Sequence, residues 1–201
     1  MQRRILPLML IALLASCAMQ ETRIYSLYMP PSPLREREKG PSVDTNLKPD
    51  ATIAVIVGAP RYLTQPYIAY RSSPYQLSIS KYAKWDSSPD EIIQSAIRGG
   101  LSSTGLFRDV RPSHIVLNGF YALKIDLMRF ERSDEGELSF AEVAFDVSLV
   151  SPEGKNLYRG SVAKKVKLED RSFLSLARGL SSGLEEGIAE VKSAIEKTPR
   201  Q

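Results

Sequence analysis

The sequence predicts an α/β (α+β) fold: a mixed sheet, ending in a C-terminal three-stranded antiparallel meander, packed against two main helices. Three observations predict it. After Pro112 the apolar residues alternate, with Tyr121, Leu123, Ile125 and Leu127 in one run and Val143, Phe145, Val147 and Leu149 in another. That period of two marks half-buried strands. Two other segments carry the helical period, one opening at Ser88 and one running from Phe173 to Ile195. The run ATIAVIVG at 51–58 is continuously apolar and rich in β-branched residues, which suits a buried strand.

The N-terminus reads as a targeting segment rather than as fold. Arg3 and Arg4 precede eleven residues, Ile5 to Ala15, that are apolar throughout and interrupted by Pro7 alone. The run is too short to span a bilayer, which needs about 20 apolar residues, and its layout is that of a secretory signal. It ends at Leu14-Ala15-Ser16-Cys17, with the sole cysteine of the chain. As a core residue Cys17 would be an ordinary small hydrophobe. As a disulfide it has no intramolecular partner, and as a zinc ligand it has only His114 for company. The tetrad resembles the bacterial lipobox. That resemblance implies a diacylglyceryl group on the Cys17 thiol, cleavage before Cys17 and acylation of the new α-amine. The expected organisation is a signal peptide at 1–16 and a single domain at 17–201.

The elements follow in order. Residues 21–29, ETRIYSLYM, suit a short strand through Ile24, Leu27 and two tyrosines. Residues 30–50 hold five prolines and eight charges. Such a segment cannot bury enough surface to offset its ordering entropy, so it reads as an exposed linker or loop. After the strand at 51–58 comes a tyrosine-rich tract punctuated by Pro60, Pro66 and Pro74, with YIAYR and YQLSISKY as its strands. Five of the nine tyrosines fall between Tyr62 and Tyr82, a density that singles the tract out.

Ser88, Pro89 and Glu91 form a helix start, with Ser88 as N-cap and Glu91 completing a capping box. Ile92, Ile93, Ala96, Ile97 and Leu101 then line one face. Gly99-Gly100 costs about 1 kcal/mol per glycine relative to alanine, which close packing against the sheet would explain. The third meander strand places Tyr158, Val162, Val166 and Leu168 on one face, and the loops SDEGE and SPEGKN join the three strands as hairpins. Asp170 is the expected cap of the last helix. Its apolar positions, Phe173, Ala177, Leu180, Leu184, Ile188, Val191 and Ile195, trace one helical face, suited to core packing or to a partner.

Composition narrows the function. Hydrophobic content is 43% and charged content 25%, a globular balance, and the formal net charge is +4. Arg3 and Arg4 would leave with the signal, and no dense Lys/Arg patch remains, so nucleic acid is not an expected partner. No nucleophile elbow, phosphate loop or dinucleotide fingerprint is present, so no catalytic residue, metal or cofactor is assigned. His114 reads as a loop residue. Asp126, Glu131, Glu142 and Asp146 lie close to Lys124, Arg129 and Lys164 to Lys167 in the meander, so cross-strand ion pairs explain these carboxylates better than catalysis.

The tract PRYLTQPYIAYRSSPYQLSISKYAKWDSSPDEIIQSAIRGGLSSTGLF resembles the signature region of the ABC-type transport auxiliary lipoproteins, the PqiC-like family. The matching positions are Tyr62-Leu63, Pro66, Ile68, Tyr70-Arg71, Leu77 and Trp85, with an early YSLY strand soon after Cys17. Tyr67 stands where the family often has a polar or charged residue. The resemblance implies a periplasm-facing lipoprotein held on the outer membrane by its lipid anchor. Its partners would be an MCE-domain protein and, through it, an ABC permease and ATPase that move lipids or other hydrophobic molecules between membranes. It also leaves room for a homo-oligomer. A lipid-anchored envelope assembly or maintenance factor is the competing reading, and an anchored hydrolase a distant third. Tyr and Trp suit interfaces, so Tyr62, Tyr67, Tyr70, Arg71 and Trp85 are the candidate partner-binding residues. The competing expectation is that these rings fill the space between sheet and first helix, Trp85 above all.

Overall fold

The computed structural model describes residues 21–29 and 51–198. The expected signal, Cys17 and the expected linker at 30–50 lie outside the described residues. The strands are β1 (Arg23–Tyr25), β2 (Thr52–Gly58), β3 (Tyr67–Ser73), β4 (Gln76–Trp85), β5 (Asp109–Ser113), β6 (Tyr121–Glu135), β7 (Leu138–Val150) and β8 (Asn156–Lys167). The helices are α1 (Pro89–Ser102) and α2 (Phe173–Glu196), and a single 3-10 turn at Arg61–Leu63 links β2 to β3.

All eight strands share one mixed sheet, and β6 is its hub. Along one edge, β6 pairs antiparallel with β7 from Ala122 to Glu135. Its other edge is divided. β2 runs parallel to residues 121–126, and β3 runs parallel to residues 131–133. β5 then extends the sheet beyond β2, β4 and β1 extend it beyond β3, and β8 extends it beyond β7. The predicted meander is therefore β6–β7–β8. Gly136, at φ +63°, opens its first turn, a two-residue link between Glu135 and Leu138. Glycine takes that left-handed backbone at no steric cost.

A bulge interrupts the meander where the sheet divides. Leu127 pairs with Phe145 and Arg129 with Ala144, so Met128 is an extra residue on β6. An extra residue reverses the inward and outward alternation. Leu123, Ile125 and Leu127 face the core before it, and Phe130 and Arg132 face the core after it. Unbroken alternation, as the sequence suggests for β6 up to Leu127, would have placed Arg129 and Glu131 inward instead.

Two local expectations are corrected, and β5 is an element the sequence does not foreshadow; Pro112 is tolerated in it because β5 is an edge strand pairing only with β2. Asp170 does not cap α2. Ser172 does, its hydroxyl accepting the Ser175 N–H at 3.1 Å, while Asp170 accepts the Ser172 N–H at 2.8 Å. Gly100 packs against α2 rather than the sheet: a Cβ there would lie 2.6 Å from Ile188 Cγ2, whereas Gly99 has nothing within 4 Å. At the start of α1 the capping box forms as expected, with the Ser88 N–H donating to Glu91 at 3.3 Å.

Both helices cover the same face of the sheet. α1 lies over β2 and β5, and Gln94 donates to the carbonyls of Val55 and Ser113 at 3.0 and 3.3 Å. α2 lies over β7 and β8. It can lie close because Gly179, Gly183 and Gly187 face those strands at a spacing of four. A Cβ at Gly179 would approach Ala141 Cβ to 2.8 Å, and one at Gly187 would approach Val162 to 2.8 Å. Around them Leu176, Leu180, Leu184 and Val191 are buried against Phe130, Phe145 and Leu149 in one core cluster. Each fully buried side chain of this size contributes roughly 1.5–3 kcal/mol.

The two classes of glycine should respond oppositely to alanine. Gly99→Ala gains helix propensity with nothing to displace and should stabilise by up to about 1 kcal/mol. Gly187→Ala meets the same propensity gain but overpacks the helix–sheet interface, which typically costs about 1–3 kcal/mol, so a net loss is expected. Urea unfolding of both variants checks the opposite signs.

Candidate functional site at the aromatic tract

The five candidate residues of the tract lie on the 3-10 turn, β3 and the end of β4, beside the part of β6 that follows the bulge. There β6 presents a buried acid and a buried base in succession, Glu131 and Arg132, on opposite faces of the sheet. Each collects residues from the tract.

On the face away from the helices, Glu131 is fully buried. Arg71 Nε donates to its Oε1 at 2.6 Å, and the Tyr62 hydroxyl donates to its Oε2 at 3.2 Å. The same hydroxyl lies 3.3 Å from the carbonyl oxygen of Met128, the bulged residue. Arg71 keeps a quarter of its side chain exposed. Its hydrogen bond to Glu131 raises the guanidinium pKa further above its ordinary value. Burial, reinforced by the Glu131 charge, pushes the Tyr62 phenol up. The three groups thus form a charge-assisted clamp joining the turn, β3 and β6.

On the helix face, Arg132 lies 5.0 Å from the centre of the Tyr70 ring and 5.8 Å from that of Phe173 on α2. It also donates to the Arg171 carbonyl at 2.5 Å and to Asp134 at 3.1 Å. Tyr70 and Arg132 are register partners, so the cation–π contact reinforces the β3–β6 pairing. Trp85 is 2% exposed and packs edge-on against Phe130, with ring centres 5.6 Å apart. Trp85 therefore has no area to offer a partner, and its candidacy for docking is withdrawn in favour of packing. Tyr62, Tyr70 and Arg71 are half-buried and committed to β6. Tyr67 differs: it pairs with the exposed Lys84 on the open face of the sheet.

Of the four meander carboxylates, Glu142 makes the expected cross-strand ion pairs. Glu142 accepts from Arg129 at 2.5 Å and from Ser133 at 2.6 Å, and lies 3.5 Å from Lys165. Lys165 also bridges to Glu135, and Lys164 reaches across to Glu190 of α2 at 2.5 Å. Asp146 accepts from Ser161 at 2.6 Å. Glu131 departs from the expectation, because its cation comes from β3 and not from the meander. Sequence reasoning missed this pair, and it did not single out Tyr75, 97% exposed at the tip of the β3–β4 hairpin. Among the described residues no set of His, Cys, Asp or Glu is grouped to hold a metal ion, and no helix is long and apolar enough to cross a membrane.

A family model, ABC-type transport auxiliary lipoprotein component, matches residues 37–191. The chain belongs to that family. Curated proteins provide no match. Among solved structures, protein XCC0632 from Xanthomonas campestris is 20% identical, with a TM-score of 0.69 over 87% of this chain and 95% of that one. An uncharacterized protein is 14% identical, with a TM-score of 0.61 over 87% of this chain and 99% of that one. PelC from Paraburkholderia phytofirmans, solved as a dodecamer, is more distant at a TM-score of 0.47 and 17% identity, over 75% of this chain and 91% of that one. The likenesses to XCC0632 and to the uncharacterized protein show the fold of this auxiliary lipoprotein. Of the positions by which its sequence resembles the family, Tyr62, Ile68, Tyr70, Arg71 and Trp85 lock β3 and the turn onto β6 and the core.

Glu142 makes the meander acid-sensitive. Burial opposes its ionisation, but Ser133, Arg129 and Lys165 together outweigh burial and hold the carboxyl below its ordinary 4.5. A depressed carboxylate pKa means that its stabilisation is complete above pH 4.5 and is lost as pH falls through the lowered folded value. Glu142→Gln should therefore flatten the acid side of a plot of melting temperature against pH. Unchanged steepness below pH 4.5 would assign the acid sensitivity elsewhere.

Proposed function

We propose that this chain is an outer-membrane-anchored, periplasm-facing accessory of an ABC/MCE-type system that moves lipids or other hydrophobic molecules between membranes. Its role is non-catalytic docking. The observation that carries the reading is the family match across residues 37–191, on a chain whose N-terminus ends a signal-like run at Leu14-Ala15-Ser16-Cys17. Acylation of the Cys17 thiol and of the new α-amine supplies the anchor. One acyl chain holds a protein only marginally, at about 0.8 kcal/mol per buried CH₂, so stable attachment takes more than one. Ala18 follows Cys17, where an aspartate would favour the inner membrane in the sorting pattern that this sequence resembles.

The partner is an MCE-domain protein, and through it a permease and ATPase. Its docking surface is placed at the hairpin end of the tract. There Tyr75 is almost wholly exposed, on a β3–β4 hairpin whose base is pinned to β6 through Arg71 and Tyr70. A rigid exposed ring on a pinned hairpin is suited to act as an interface anchor. Cys17→Ser should accumulate as unprocessed precursor. Tyr75→Ala should keep the melting temperature and lose about 2 kcal/mol of binding to the MCE-domain protein encoded beside it, roughly a thirtyfold rise in Kd. Normal processing of Cys17→Ser removes the anchor. Failure of the wild-type lipoprotein to co-purify with the MCE-domain protein removes the transport partnership.

A further inference from the structure

The sheet has one face covered by helices and one open, and the open face changes character along its width. Over β6, β7 and β8 it is the polar network around Glu142. At the opposite side, over β1, β4 and the start of β3, it is apolar and aromatic. Ile24 on β1 is 70% exposed, and on β4 Tyr82 is 47% and Ile79 40% exposed. Ile24 and Tyr67 both pair with Lys84, from either side of β4. Tyr82 lies two residues before Lys84, on the same face, because Ala83 and Trp85 between and beyond them are buried on the helix side. These side chains form one patch across three strands. Lys84 is the exposed cation within it, because Arg23 pairs with Ala83 and so shares the helix side.

We propose that this patch rests on the membrane surface, with lipid as its partner. The inference depends on the Cys17 anchor of the proposed function. Arg23 comes six positions after Cys17, and a fully extended chain gains at most about 3.6 Å per residue, so β1 is tethered within roughly 22 Å of the acylated residue. β1 is also the outermost strand on that side of the sheet. Its helix-side face is already used, because Tyr25 packs on Phe173 of α2 at 6.0 Å. The face left to meet the bilayer is the one bearing Ile24. Tyrosine rings settle at the headgroup level, with the ring in the apolar boundary and the hydroxyl in water. Lysines extend their stems over apolar surface and place their charge among anionic headgroups. Ile24, Tyr82, Tyr67 and Lys84 are the residue types such a contact needs. The departure from the family's polar preference at Tyr67 thereby acquires a role.

The test uses the lipidated full-length protein reconstituted on phosphatidylethanolamine–phosphatidylglycerol vesicles. Lysines are acetylated with a water-soluble reagent and read by mass spectrometry, which also reports the acyl groups on Cys17. Lys84 is compared with Lys155 in the same molecule, since Lys155 lies in the turn before β8, on the far side of the sheet. The expected result is a severalfold loss of Lys84 labelling relative to Lys155, restored by Ile24→Glu combined with Tyr82→Glu while the protein stays anchored. Acylated Cys17 with equal labelling of Lys84 and Lys155 overturns the membrane contact and leaves the anchor standing. Absence of acyl groups on Cys17 overturns the anchor and the contact built on it. Protection of Lys84 that survives in detergent, with Lys84-to-Lys84 cross-links between chains, assigns the patch to a second copy and overturns the lipid contact.

Discussion

The carboxylate of Glu131, buried without solvent contact and held by Arg71 and Tyr62, is the interaction on which the rest of the sheet depends. β6 cannot give one edge to two strands unless something fixes where the first stops and the second begins. The Met128 bulge marks that boundary, and the Tyr62 hydroxyl touches both the bulge carbonyl and Glu131. A charge in this position is expensive unless its partner is present, so the acid enforces the path of the chain: the 3-10 turn must fold back and β3 must lie alongside residues 131–133. On the other face, Arg132 makes the matching demand of Tyr70 and of the N-terminus of α2.

Once β3 is placed, the remaining geometry follows by packing. β4 returns beside β3 and carries Trp85 into the core against Phe130, at the mouth of α1. β1 joins the free edge of β4. α2 closes over β7 and β8 because three glycines remove the side chains that would hold it away. The result is asymmetric. The helix face is sealed, while the open face is ion-paired over the meander and apolar near β1.

Much of this was legible in the sequence, and the failures have particular causes. Alternation around Leu123 and Phe145 marked strands whose face is set by burial alone, and the capping box at Ser88 marked a helix start set by local hydrogen bonds. β5 was illegible because Pro112 suppresses a strand reading unless the strand is known to lie at an edge. The Met128 bulge leaves no local signature, since both sides of it read as ordinary alternation. The tyrosine-rich tract was visible as a cluster, but its density pointed to an interface, whereas most of its rings serve the fold. Burial of Trp85, Tyr62 and Tyr70 depends on a partner 45 to 69 residues away on β6, and no local pattern encodes a contact of that separation. The acid at Glu131 was noticed and given the wrong cation for the same reason. The alternative weighed for the tract, that its rings pack internally, thus accounts for Trp85 and most of the others, while Tyr67 remains on the open face.

A double-mutant cycle across Arg71 and Glu131 measures the clamp most directly. Arg71→Met alone leaves a buried carboxylate without its cation and should cost about 3 kcal/mol, the magnitude for breaking one side of a buried pair. Glu131→Gln in the Arg71→Met background should then recover part of that loss, so that the double variant is more stable than the two single losses predict. Losses that add to within about 0.5 kcal/mol, the behaviour of independent sites, would show that Arg71 and Glu131 are not coupled and would contradict the account of how this sheet is held.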